Sequence, residues 1–142
     1  MWVHNVLAVS NAMGLLALYE CNHWLDRLVV AAVMTASTLM HISETKGGLD
    51  PGAFWQPYSA RLLNIDRAVA VAATLYGVWL EWPIGGGIRH EYMLRLARMA
   101  VGTTILGEMA NHTQRRAIYV CLHVIWHTLV YELLMMVVSR HS

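Results

Sequence analysis

Three histidines of this chain stand in apolar sequence, where an ionisable side chain needs a reason to be. His123 and His127 lie four apart in the stretch CLHVIWHTLVYE, and Ser37 and His41 lie four apart in STLMHISET. On a helix, a spacing of four puts two side chains on one face. Asp66 opens a further apolar stretch, in LLNIDRAVA. Polar and ionisable groups at membrane depth are costly, so each implies a partner or a purpose. Three imidazoles with a fourth position left open form one of the donor sets of a catalytic zinc site. His41, His123 and His127 are therefore candidate zinc ligands. Ser37 and Asp66 are the candidate catalytic groups beside them, since a neighbouring carboxylate can orient a ligand or hold a water. Taken singly, each piece also has a plain structural reading: a hydrogen-bonded histidine pair, or a serine bonded to a helix backbone.

The elements that must position these residues follow from composition. The chain has 142 residues, of which 57% are hydrophobic and only 13% charged, with a mean hydropathy of +0.44. Soluble domains carry roughly 25% charged residues, so a disordered chain and a soluble secreted domain are poor readings. A net charge of +1 leaves no basic footprint for nucleic acid. A membrane span needs about 20 mostly apolar residues. Five stretches qualify as candidates: 2–19, 24–42, 62–82, 93–110 and 118–138, the fourth weakened by Arg95, Arg98 and Glu108. The predicted fold is thus all-α, a single integral membrane bundle of about five transmembrane helices. Trp2, Tyr19, Trp24, Trp79, Trp82, Tyr92 and Tyr119 fall near the ends of the stretches, where interfacial rings are favoured. Residues 43–61, with Gly47, Gly48, Pro51, Gly52 and Pro57, read as a long loop suited to a lid or docking surface. Pro83–Gly87 reads as a tight turn. The first stretch lacks a basic flank and a cleavage site, so it reads as a retained span.

Five passes would place the 43–61 loop and the 111–117 connection on the same side. The second stretch ends on that side, and the third and fifth begin there. Ser37, His41, Asp66, His123 and His127 then all fall in one half of the membrane. The same topology separates Cys21 from Cys121 by most of the bilayer. A disulfide needs Cα atoms within about 7 Å, so two free thiols are expected. Glu108 and His112 read as an i,i+4 surface pair. Glu132, deep in the fifth stretch, is expected to pair with Arg95, Arg98 or a partner protein.

The order Ser37-x-x-x-His41, Asp66, His123-x-x-x-His127 resembles the alkaline ceramidase, adiponectin-receptor and post-GPI-attachment hydrolase superfamily. The resemblance covers three of the five stretches. It implies zinc held by His41, His123 and His127, with Ser37 and Asp66 around a water that attacks the carbonyl of a lipid amide or ester. Members of that superfamily have seven spans, and this sequence has room for five. The two missing spans lie between the motif helices, which preserves parity but leaves less enclosure for a lipid chain. Two functions follow as expectations. The favoured one is a non-catalytic accessory subunit of a larger organellar membrane complex, such as an energy-converting assembly of the mitochondrial inner membrane, on a fold that can retain the zinc site. The alternative is a zinc-dependent lipid hydrolase, with the endoplasmic reticulum or Golgi as the alternative membrane. Membrane lipids and other membrane subunits are the expected partners, and nucleic acid is not.

Overall fold

The computed structural model describes residues 2–43, 56–81 and 88–139, and among these every regular element is helical. The chain opens with α1 (Trp2–Ser10), a 3-10 turn over Asn11–Met13, and α2 (Gly14–Glu20). Ser10 (φ −61°, ψ −21°) and Gly14 (φ −63°, ψ −18°) keep right-handed helical angles, so the turn tightens the rod without breaking it. After Cys21–His23 comes α3 (Trp24–Ser43). A 3-10 turn over Gln56–Tyr58 then leads into α4 (Ser59–Glu81), followed by α5 (Ile88–His112) and α6 (Arg116–Val138).

The helix ends fall within a few residues of the apolar stretches. The exceptions have local causes. The expected loop 43–61 does not reach residue 61, because residues 56–61 already belong to a 3-10 turn and to α4. Pro57 fixes φ near −65° and suits a helix start, where its missing N–H is no loss. Residues 44–55 of that loop, and the expected turn Pro83–Gly87, lie outside the described residues. Among the described residues, α3 and α6 are long and apolar enough to cross a membrane. The first rod is divided into shorter α-helical pieces by its 3-10 turn, and α4 and α5 carry more polar and charged residues.

Packing fixes the direction of each helix. Leu7 of α1 packs with Val120 near the start of α6. Ala17 and Cys21 pack in one cluster with Tyr131, Leu134 and Val138 towards the end of α6. The first rod therefore runs parallel to α6. Val30 and Val33 of α3 and Ala73 of α4 complete that cluster. Leu96 and Ala100 of α5 meet Leu129 of α6. The α5–α6 connection is tight. Gln114 has φ 56°, Arg115 N–H donates to Ala110 O at 2.8 Å, and Gln114 N–H donates to Asn111 O at 3.0 Å. That pair of bonds is the Schellman way of ending a helix, with Gln114 in the left-handed position usually taken by glycine.

Polar ties hold the end of the bundle where α2 meets α3. Tyr76 of α4 donates its hydroxyl proton to Asp26 Oδ1 at 2.6 Å. Asp26 is 1% exposed. Arg27 Nε donates to Cys21 O, and the Cys21 thiol donates to Ala17 O. Burial first, and then Asp26, push the Cys21 thiol above its ordinary value against the pull of Arg27. Cys21 and Cys121 are both free thiols, as expected, the former buried and the latter exposed.

Gly14 marks a close approach between helices. A Cβ there would lie 2.4 Å from Met34 Cγ and 2.7 Å from Tyr131 Cε1. Met34 can swing aside, but the Tyr131 hydroxyl is bonded to Asn11, which pins its ring. Overpacking of this kind costs about 1–3 kcal/mol, against a gain of about 1 kcal/mol for removing a helical glycine. Gly14→Ala is therefore expected to lower the thermal midpoint in detergent. A midpoint at or above that of the wild type would refute this close packing.

Candidate metal centre

Three helices built far apart in sequence supply the polar centre of the bundle. His41 sits in the last turn of α3, while His123 and His127 share one face of α6. The helix starts at Arg116, so at 1.5 Å per residue His127 lies about 16 Å along it, near the middle.

His41 Nε2 and His123 Nε2 are 3.1 Å apart. One ligand nitrogen from each of His41, His123 and His127 can be chosen so that all lie within 4.8 Å of one another. The rings meet edge to face. Centroids are 4.8 Å apart for His41–His123 and for His123–His127, with interplanar angles of 83° and 87°. The third pair, His41–His127, is 5.5 Å apart at 71°. Rings splayed in this way direct their nitrogens towards a common region. Two nitrogens on a tetrahedral zinc, each at 2.0–2.1 Å, would be roughly 3.3 Å apart. The 3.1 Å separation is close to that value, so the three histidines fit the donor set and spacing of a metal site. His41 is 0% exposed and His127 is 2% exposed. His123 is half-buried and borders Tyr119 and Trp126, with ring centroids 5.3 Å away in both cases.

Ser37 joins the centre. It is buried, and its Oγ lies 3.3 Å from His127 Nε2. Asp66 is half-buried on the second turn of α4. Tyr131 donates to Asn11 Oδ1 at 2.7 Å, and Asn11 Nδ2 donates to Ser37 Oγ at 3.1 Å. The structure therefore brings the candidate ligands and Ser37 into one network.

Ser10 and Asn11 were not anticipated as site residues. Ser10 Oγ is hydrogen-bonded to His127 Nδ1, and Asn11 is 1% exposed. The available signal was a pair of adjacent polar residues inside an otherwise apolar stretch. Tyr119 packs against the His123 ring. Glu132 takes its hydrogen bond from the Tyr92 hydroxyl on α5, one helix turn before Arg95.

The arrangement can bind a borderline divalent cation through neutral imidazoles, beside a serine hydroxyl. Purified protein is expected to bind about one zinc per chain, and His41→Ala, His123→Ala and His127→Ala are each expected to abolish tight binding, as read by metal analysis after dialysis. Stoichiometric zinc retained in all three variants would place the metal elsewhere. Comparison of the chain with protein-family models, with curated proteins and with solved structures returns no match.

Proposed function

We propose that the protein is a multi-pass membrane protein whose helices all cross or line the bilayer, and that it holds zinc on His41, His123 and His127 to hydrolyse a lipid amide or ester. The observation that carries this reading is the convergence of three imidazoles with Ser37 at the buried middle of an apolar bundle. The resemblance of the Ser–His, Asp, His–His order to the ceramidase and adiponectin-receptor superfamily supports the substrate class. When bound, zinc supplies Lewis acidity towards a carbonyl and makes a neighbouring water a better nucleophile. The protein's own groups supply the rest. Ser37 Oγ accepts a hydrogen bond from Asn11, so with His127 Nε2 committed to the metal its own hydroxyl proton would donate to the oxygen of a reacting carbonyl. Asp66, on the facing helix, is the group to take a proton from the attacking water.

The test uses full-length protein in mild detergent, with ceramide-like and phospholipid substrates. Zinc-loaded protein should release fatty acid, and His123→Ala should remove both metal and activity. Losing one oxyanion donor costs on the order of 10²-fold in rate, so Ser37→Ala should retain zinc and lose about that much in kcat. Undiminished turnover after zinc removal would rule out this mechanism.

The outer face of α5 favours a second reading, an accessory subunit of a larger organellar membrane assembly such as one in the mitochondrial inner membrane. Val101, Ile105 and Met109 are all more than half exposed, and Arg95, Arg98 and Glu108 are exposed among them. Charged and large apolar groups interleaved on one helix suit a protein neighbour better than lipid alone. On this reading the protein co-migrates with a large complex on native gels of its membrane. Migration solely as a monomer would exclude it.

A further inference from the structure

We infer that the first helical rod, which supplies no candidate ligand, sets the histidine tautomer and the serine proton at the centre, with Ser10 and Asn11 as positioning residues. The inference deepens the zinc-site reading, but its core concerns the protein's own protons.

The direction of every hydrogen bond in this network follows from one backbone carbonyl. Leu7 O can only accept. Ser10 Oγ lies 2.7 Å from it and donates its proton there. Ser10 Oγ must then accept from its other neighbour, His127 Nδ1, which therefore carries the ring proton. A neutral imidazole has one N–H, so His127 Nε2 presents a lone pair.

The same carbonyl orients Asn11. Its nearer amide atom lies 3.4 Å from Leu7 O and must be Nδ2, since two carbonyl oxygens do not bond. Asn11 Oδ1 therefore faces the Tyr131 hydroxyl, and Nδ2 also donates to Ser37 Oγ. Ser37 keeps its own proton, and His127 Nε2 is 3.3 Å away to receive it. All these groups are satisfied in a single direction. The opposite tautomer would turn the Ser10 proton away from Leu7 O. It would also leave the Ser37 proton with no acceptor among the hydrogen bonds of the described residues.

The consequence is a centre preset before any cation arrives. His127 offers Nε2, the same type of atom by which His41 and His123 approach each other. A cation that takes this lone pair displaces the Ser37 proton, which then points into the site. Second-shell partners of ligating histidines typically change metal affinity by 10–100-fold.

The test is ¹⁵N NMR of histidine-labelled, metal-free, full-length protein in nanodiscs, with His127 assigned by its absence from His127→Gln. The wild type should show the Nδ1–H tautomer. Ser10→Ala should shift it towards a mixture, and Ser10→Thr, which keeps the hydroxyl, should restore it. Cobalt titration should give 10–100-fold weaker binding for Ser10→Ala and near-wild-type binding for Ser10→Thr. An Nε2–H tautomer in the wild type overturns the inference. So does a Ser10→Ala protein with unchanged tautomer and cobalt affinity. If Ser10→Ala does not fold, the wild-type tautomer alone decides. If wild-type protein shows the expected tautomer and its response to Ser10→Ala but binds neither cobalt nor zinc, the inference stands and the metal reading fails.

Discussion

An unsatisfied polar atom in an apolar interior costs about 1–3 kcal/mol, and the middle of this bundle contains Asn11, Ser37, His41 and His127, all nearly fully buried. None of these groups can turn to solvent. Each must be answered by another group from a different helix, which restricts how the helices can be rotated about their axes. Rotating the first rod by one residue, about 100°, would carry Asn11 away from Ser37 and Tyr131. The apolar clusters at either end would tolerate such a rotation more easily, since dispersion contacts are weakly directional. The hydrogen-bonded centre therefore sets register, and the clusters around Leu7 and around Val138 supply the bulk of the burial.

The close approach that the centre requires explains the small residues near it. Hydrogen bonds of about 3 Å between helices need backbones near one another, and a large side chain at position 14 would hold the first rod off α3 and α6. The 3-10 turn at Asn11–Met13 has the same logic. A tighter turn leaves the Leu7 carbonyl facing the side chains of both Ser10 and Asn11, so a local irregularity in the helix becomes the reference point for the whole network.

Much of this was legible in the sequence, for identifiable reasons. Helix positions followed from the absence of charge between short connections, a signal summed over many residues. The pairing of Ser37 with His41, and of His123 with His127, needed only the helical period. Their convergence needed only the parity of passes. Ser10 and Asn11 escaped because their role depends on rotation of one helix against two others, which no one-dimensional pattern encodes. The bond from Tyr92 to Glu132 was missed in favour of Arg95 or Arg98, because opposite charge is a visible cue in sequence and a phenol hydroxyl is not. The end of the 43–61 loop was misjudged because Pro57 was read as a breaker, although proline also favours a first helical turn.

The bond between Ser10 and His127 spans 117 positions of chain, and that separation has a consequence for biosynthesis. During synthesis the first rod and α3 are available long before α6 exists. Until then Ser37 and Asn11 can find each other, but neither has its histidine or tyrosine partner. The last helix to emerge brings Tyr131 and both remaining imidazoles together, so the centre is completed in a single late step. A ribosome stalled before residue 123 would carry most of the described bundle's mass and only one of the three histidines, so any cation held by all three would arrive after α6 is made.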